Sequence, residues 1–247
     1  MVVKRKDWYK HWFGNEYLTA YAHRDHNEAR ALVNLIESQI PLRPQHQILD
    51  LCCGQGRHAN LLASKGYRVV GLDLSRTLLE VAKFSTDRLR YPAFVQADMR
   101  TLPFGSCFNL LLNLFTSFGY FDSDQENMGV IEQFYQVLKP GGWFVFDYFN
   151  AGYVVGNLVE HETEEVNGIR MGFERRITDK RVEKMITLKK NGRCATFFES
   201  VKIYQPGEIR EMMQGADLCV EKTFGDYDGS PFNVQSPRLI IIGKRDR

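Results

Sequence analysis

The 247-residue sequence is short of cysteine pairs, of long apolar runs and of charge of one sign, and each shortage excludes a class of protein. The five cysteines are Cys52, Cys53, Cys107, Cys194 and Cys219; the count is odd, two are adjacent, and no CxxC pair occurs. That argues against a disulfide framework and against a zinc site, so no metal is expected. A reducing, cytoplasmic setting is the natural expectation. Apolar stretches such as residues 110–112 are far too short to span a bilayer, and no membrane partner is expected. The first residues carry charge but no apolar segment of the secretory-signal kind. Lys and Arg number 32 against 30 Asp and Glu, leaving a formal net charge of +2 and no basic tail or stripe. Lys4, Arg5 and Lys6 read as a solvated terminus. Nucleic acid is therefore not an expected partner. No internal repeat and no low-complexity segment is present.

What is there fits one α/β domain with room for an elaboration. Apolar residues at 44% and charged residues at 25% give the balance of a globular protein. The 17 Phe and 11 Tyr are numerous enough to line a pocket as well as fill a core. Residues 1–24 are rich in aromatics without a clean period and read as short docking helices. From Asp25 to Gln39 the set Ala29, Leu32, Val33, Ile36 recurs at helical spacing, ended by Pro41 and Pro44. Strands are then predicted at 47–51, 68–72, 93–96, 108–112 and 143–147. Helices are predicted at 57–65, 75–89 and 124–138, with Lys139-Pro140-Gly141-Gly142 as a turn. Such alternation implies a mostly parallel, doubly wound sheet of seven strands with helices on both faces. After Asn150 the period becomes two, with Asp179-Lys180 and Asn191-Gly192 as hairpin turns. An antiparallel insertion of three or four strands is expected there, followed by a helix from Pro206 and two last strands. The units are thus 1–44, a helical cover; 45–150, the core; 151–204, the insertion, a lid; and 205–247, a helix and the last core strands.

Three strand ends carry polar chemistry. The first runs from Ile48 through Asp50 into Cys52-Cys53-Gly54-Gln55-Gly56-Arg57-His58, a strand that enters a glycine loop and then a helix. Glycines allow close backbone approach and positive φ, and the helix start offers unpaired N–H groups. The second ends in Asp73, followed by Leu74; an acid there accepts bonds from two ribose hydroxyls. The third ends in Asp98-Met99, an acceptor for an adenine amino group with an apolar neighbour for the ring. No G-x-G-x-x-G occurs, which argues against a dinucleotide and against an NAD(P)-dependent oxidoreductase.

This constellation resembles the class I, Rossmann-like S-adenosylmethionine-dependent methyltransferases of the small-molecule type, over roughly residues 45–150. Asp50, Gly54 and Gly56 match the first motif, with Cys52 where its first glycine usually stands and His58 where its third usually stands. Asp73 matches the ribose acid, Asp98 and Met99 the adenine-side pair, and Leu138 to Gly142 the turn before the fifth strand. The resemblance implies S-adenosylmethionine as methyl donor, S-adenosylhomocysteine as product, and a small-molecule acceptor methylated at O or N. Asn113 and Phe115, at the end of the fourth strand, and Tyr21 complete the expected donor contacts. Phe115 and Tyr148 are candidate positioning residues, and no general base is assigned. The acceptor is expected against Tyr17, Phe118, Asn150, Arg176, Tyr204 and Tyr227. The Asn/Asp-Pro-Pro-aromatic motif of base-methylating enzymes is absent. Methylation of RNA or protein, or a non-catalytic donor-binding role, stand as alternatives; oligomeric state is left open.

Overall fold

The computed structural model describes residues 7–21, 26–84, 91–166 and 168–246. Helices α1 (Tyr9–Trp12), α2 (Asn15–Ala20) and α3 (His26–Gln39) come first. The alternation follows: β1 (Gln47–Leu51), α4 (Arg57–Ser64), β2 (Arg68–Asp73), α5 (Arg76–Phe84), β3 (Ala93–Gln96), β4 (Phe108–Asn113), α6 (Asp124–Val137) and β5 (Leu138–Phe149). The expected continuation of α5 to residue 89 lies outside the described residues.

Next come α7 (Ala151–Gly156) and a meander of β6 (His161–Val166), β7 (Ile169–Thr178), β8 (Arg181–Lys190) and β9 (Arg193–Lys202). Helix α8 (Pro206–Gly215) and strands β10 (Leu218–Phe224) and β11 (Arg238–Arg245) close the chain. One sheet, hereafter the main sheet, has the order β10-β11-β5-β4-β1-β2-β3. Strands β1 to β5 pair in parallel, and β10 and β11 pair antiparallel.

Its central strands are apolar on both faces because helices cover both. Alternate residues point to opposite faces. Ile48, Leu110, Leu112, Ile240 and Ile242 pack with Leu32, Val33 and Ile36 of α3 and with Ala59 and Leu62 of α4. Leu49, Leu111, Phe144 and Phe146 pack with Ile131 and Phe134 of α6 on the other side. The expected helical cover therefore divides. Helix α3 belongs to the core layer beside α4, whereas α1 and α2 reach α5 and the second sheet. The chain order reverses at β1, whose neighbours are β2 and β4, and ligands of such sheets sit beyond the carboxyl ends at that point.

The expected turn before the fifth strand lies inside β5. Phe108 pairs with Leu138 and Leu110 with Trp143, so residues 139–142 bulge opposite Asn109. Gly141 takes a φ of 71° there.

The insertion is a four-stranded antiparallel sheet of order β6-β7-β8-β9. Both of its sequence-read turns have positive φ at both central residues, 51° and 56° at Asp179-Lys180 and 49° and 74° at Asn191-Gly192. That is the geometry that matches strand twist across a two-residue loop.

Candidate active site

Residues of both sheets and of α1, α2 and α7 line a cavity of about 550 Å³. Its floor is the carboxyl end of the main sheet. The loop after β1 turns through positive φ at Cys52 (61°), Gly54 (55°) and Gly56 (77°). A left-handed cysteine is uncommon, and here it occupies a glycine's place in the turn. The third glycine position of the loop is Gly56, and His58 lies within α4, which corrects the alignment expected from sequence. Gly56 does not line the cavity; a Cβ there would come 2.9 Å from Ala82 and 3.0 Å from Phe94, so its smallness serves packing. A Cβ on Gly54 would meet only Leu78, at 3.9 Å, and its backbone stays approachable from the cavity.

Three carboxylates line the floor, each in a different environment. Asp50 is buried, and one of its oxygens has no hydrogen-bond partner. Burial raises its carboxyl to about 7, with the neighbouring Asp73 charge adding to the effect. Asp73 accepts the Gly54 N–H at 2.8 Å and the Ser75 N–H at 2.8 Å. Burial raises its carboxyl too, against those backbone bonds. Burial also lifts Asp98, but the bonds from Arg100 outweigh it and the net shift is downward. The guanidinium reaches Asp98 at 2.7 Å and also Glu126 at 3.0 Å. Met99, Leu74 and Cys52 form the apolar wall between these acids, with the Cys52 Sγ 3.4 Å from the Met99 Sδ. His58 is buried with an unpartnered Nε2. Burial and then the Arg57 charge push it down to about 3, so it is a neutral imidazole at physiological pH.

At the end of β4, Phe115 and Thr116 take consecutive positive φ of 55° and 62°. Such a turn costs conformational energy and persists only when its surroundings hold it. Asp147 holds it, accepting the Phe115 N–H at 2.9 Å through its carboxylate and the Thr116 N–H at 2.9 Å through its backbone carbonyl. The same fully buried carboxylate is paired with Arg238 at 2.7 Å and accepts the Tyr227 hydroxyl at 3.1 Å. Phe115 is thereby set in the cavity, with the Arg57 guanidinium 4.9 Å from its ring centre.

The roof is the inward face of the four-stranded sheet together with α1, α2 and α7. Glu199 on β9 accepts bonds from the Trp12 indole at 2.5 Å and the Tyr21 hydroxyl at 2.9 Å. Lys184 on β8 donates to the Tyr21 hydroxyl at 2.7 Å. Arg175 on β7 pairs with Glu162 at 2.5 Å. Phe13, Tyr17 and Tyr120 form the wall between roof and floor; Phe13 stands 5.0 Å from Tyr17 and 6.0 Å from Tyr120.

Of the residues expected from sequence, Asp50, Cys52, Gly54, His58, Asp73, Leu74, Asp98, Met99, Phe115, Tyr17 and Tyr21 line this cavity. Eight do not. Gly56 is filled by its neighbours, as above. Asn113 is buried beneath the turn, donating to the Ser117 carbonyl at 3.2 Å. Tyr148 and Phe118 are fully buried and meet edge to face within the core, the Tyr148 hydroxyl donating to the Lys202 carbonyl. Tyr204 packs on Phe118 and bonds Asp124 at 2.5 Å, which fastens the insertion to α6. Asn150 caps α7 and ties the 233–236 loop through its amide. Tyr227 supports Asp147 from behind Phe115. Arg176 points to the opposite face of β7, where it pairs with Glu183 at 2.7 Å. Its neighbour Arg175 is the cavity residue; side chains alternate along a strand, and a one-residue error in phase selects the wrong face. Trp8, Tyr9, Lys184, Glu199 and Arg238 also line the cavity and were not marked by sequence. The even-residue phase of Ile186 and Leu188 contained the signal for Lys184.

The floor fits the expected donor. The unpartnered Asp50 oxygen is an acceptor for an ammonium group, Asp73 keeps lone pairs toward the cavity, and Asp98 and Met99 offer a polar edge beside an apolar surface. These properties define a class by architecture: a Rossmann-like sheet with a polar floor laid across three consecutive strand ends.

Comparison with known proteins narrows the class. Residues 48–142 match the family model described as a methyltransferase domain. The chain is 26% identical over 219 residues to dTDP-3-amino-3,4,6-trideoxy-alpha-D-glucopyranose N,N-dimethyltransferase of Streptomyces venezuelae, covering 85% of this chain and 90% of that protein. It is 27% identical over 220 residues to cypemycin N-terminal methyltransferase of Streptomyces, covering 87% and 89%. Among solved structures, an S-adenosylmethionine-dependent methyltransferase from Clostridium acetobutylicum superposes with a TM-score of 0.81 at 18% identity, over 94% of this chain and 97% of that one. Residues 48–142 thus resemble a methyltransferase domain, and the chain shares its fold with that S-adenosylmethionine-dependent methyltransferase.

Proposed function

We propose that the chain transfers the methyl group of S-adenosylmethionine to a nitrogen or oxygen of a small molecule, the donor lying on the floor and the acceptor under the roof. The observation that carries this reading is the continuity of one cavity from the Asp50, Asp73 and Asp98 carboxylates to the inward face of the four-stranded sheet. Nitrogen is the favoured acceptor atom, since the Streptomyces venezuelae relative is named as an N,N-dimethyltransferase.

When bound, the donor supplies a methyl group already activated on a sulfonium. The chain's own part is to bind, align and exclude water. Alignment of two reactants accounts for roughly 7–11 kcal/mol of barrier in well-oriented systems. Asp50 holds the donor's ammonium group, Asp73 its ribose hydroxyls and Asp98 its adenine edge. Phe115, fixed by Asp147, shapes the surface beside the reacting centre. His58 stays neutral at working pH and brings no charge to the floor. A cytoplasmic setting accords with five cysteines that are all free. No helix among the described residues is long and apolar enough to cross a membrane.

The test is calorimetric titration with S-adenosylmethionine, S-adenosylhomocysteine and NADH on the wild type and Asp73→Ala, followed by transfer of labelled methyl to a metabolite extract. Saturable binding of both sulfur ligands, lost in the variant, and a labelled small molecule are the expected results. A preference for NADH, or label appearing only in RNA or protein, would overturn the reading.

A further inference from the structure

The roof carries an arrangement that donor binding does not use. Arg175, Lys184 and Glu199 are direct partners across three adjacent strands, Arg175 opposite Lys184 and Lys184 opposite Glu199. All three share the inward face and line the cavity. Like charges placed directly opposite each other across strands destabilise a sheet. This one keeps two cations side by side on its covered face, with Glu162 beside Arg175 and Glu199 beside Lys184.

Both cations also sit over the same ring: the Arg175 guanidinium is 5.4 Å and the Lys184 ammonium 4.4 Å from the centre of Phe173. That common platform turns the two groups toward one region of the cavity. The nearby acids are already engaged. Glu162 receives Arg175 from the side at 2.5 Å, and one oxygen of Glu199 takes both Trp12 and Tyr21. Arg238, the buried cation of the floor, is committed to Asp147 and Thr116.

We propose that Arg175 and Lys184 form a subsite for an anionic group of the methyl acceptor, a carboxylate or a phosphate. The inference rests on the proposed placing of the acceptor under the roof. The guanidinium, whose Nη1 donates to the Val159 carbonyl and whose Nη2 donates to Glu162, has further N–H donors for an oxyanion, and the ammonium acts as a compact charge beside it. An oxyanion between them would be attracted by both groups at once. An acceptor so held presents its reacting atom away from the anion, toward the Phe115 side of the cavity.

The experiment uses the full chain saturated with S-adenosylhomocysteine, so that the floor is covered, and titrates it with inorganic phosphate, pyrophosphate and malonate. Binding is followed by calorimetry and by tryptophan emission, since Trp12 is bonded to the same row through Glu199. The expected result is saturable oxyanion binding that falls tenfold or more in Lys184→Gln and in Arg175→Gln. S-adenosylhomocysteine affinity should stay unchanged in both. Arg176→Gln, one residue away on the opposite face, should bind the oxyanion like the wild type. The preferred anion separates carboxylate from phosphate. If a glutamine variant fails to fold, Lys184→Arg and Arg175→Lys, which keep the charge, should retain binding while losing the preference among the three anions. The subsite is overturned if no oxyanion binds the wild type, or if Arg176→Gln weakens binding as much as the cavity variants. Failure of S-adenosylhomocysteine itself to bind would instead overturn the proposed function.

Discussion

The floor and the roof of the cavity are built on opposite plans. The floor comes from consecutive strand ends of one parallel sheet, and its polar groups are arranged largely by local backbone. Asp73 is fixed by N–H groups of Gly54 and Ser75, and the loop by positive φ at three closely spaced residues. The roof comes from segments far apart in the chain that meet through side chains. Trp12 and Tyr21 reach Glu199 across 187 and 178 residues. Under the proposed function the locally built floor takes the donor and the roof, assembled from distant segments, takes the acceptor. Variants in the two regions should therefore separate donor binding from acceptor binding.

The largest expected effect breaks the floor's support. Replacing Arg238 by Met leaves the Asp147 carboxylate buried without its cation, which costs about 3–5 kcal/mol in comparable pairs. Urea unfolding should show that loss, and donor affinity should fall with it because the Phe115 turn is no longer held. Next comes Asp73→Ala, which strands two backbone N–H groups and removes the expected ribose acceptor. S-adenosylhomocysteine affinity should drop about 100-fold, or ~2.7 kcal/mol, while the environment of Trp12 in the roof stays unchanged by fluorescence.

Asp50 gives a pH signature. Its carboxyl is raised to about 7 in the folded chain from an ordinary 3.8. The folded state thus holds a proton that the unfolded state has released, and stability falls as pH rises from about 4 to 7. The donor's ammonium group prefers the ionised carboxylate, so affinity should rise over the upper part of that window and level off above it. Asp73, shifted the same way, adds to both trends. Asp50→Asn should weaken donor binding and flatten its pH dependence. It should also raise the thermal midpoint at pH 8 by a few degrees, as expected for removing a buried charge (~1 kcal/mol or more).

Roof variants sharpen the contrast from the other side. Glu199→Gln should leave S-adenosylhomocysteine affinity within about threefold and lower kcat/KM for the acceptor about tenfold, ~1.4 kcal/mol. The smallest effect is Tyr204→Phe. It removes one bond to Asp124 that fastens the insertion, costs about 1 kcal/mol in unfolding, and leaves both ligands' affinities unaltered.

The same division explains how much was legible in the sequence. Strands β1, β3 and the two hairpin turns of the insertion were readable because short apolar runs and Asn-Gly or Asp-Lys pairs act locally. Asp50, Asp73 and Asp98 were readable because each lies within two residues of a strand's carboxyl end. Strand β6 was not, since His161 to Val166 has one apolar residue in six and therefore shows no alternating pattern. Tyr148, Phe118 and Tyr204 were misplaced for a different reason. An aromatic at a strand end serves a pocket or a core equally well, and the deciding neighbours come from the insertion. Arg175 and Arg176 differ only in phase, which pairing across β8 settles and composition does not.

The meeting of Trp12 and Tyr21 with Glu199 has a consequence for the order in which the protein is made. A chain emerging from the ribosome has its donor-side carboxylates by residue 98 and the Phe115 turn soon after. The two aromatic partners from the amino end wait through some 180 further residues before the strand that completes the roof is synthesised. The roof is complete only when residue 199 has been made, and the floor waits longer still for Arg238, the cation that pairs with Asp147 beneath the Phe115 turn.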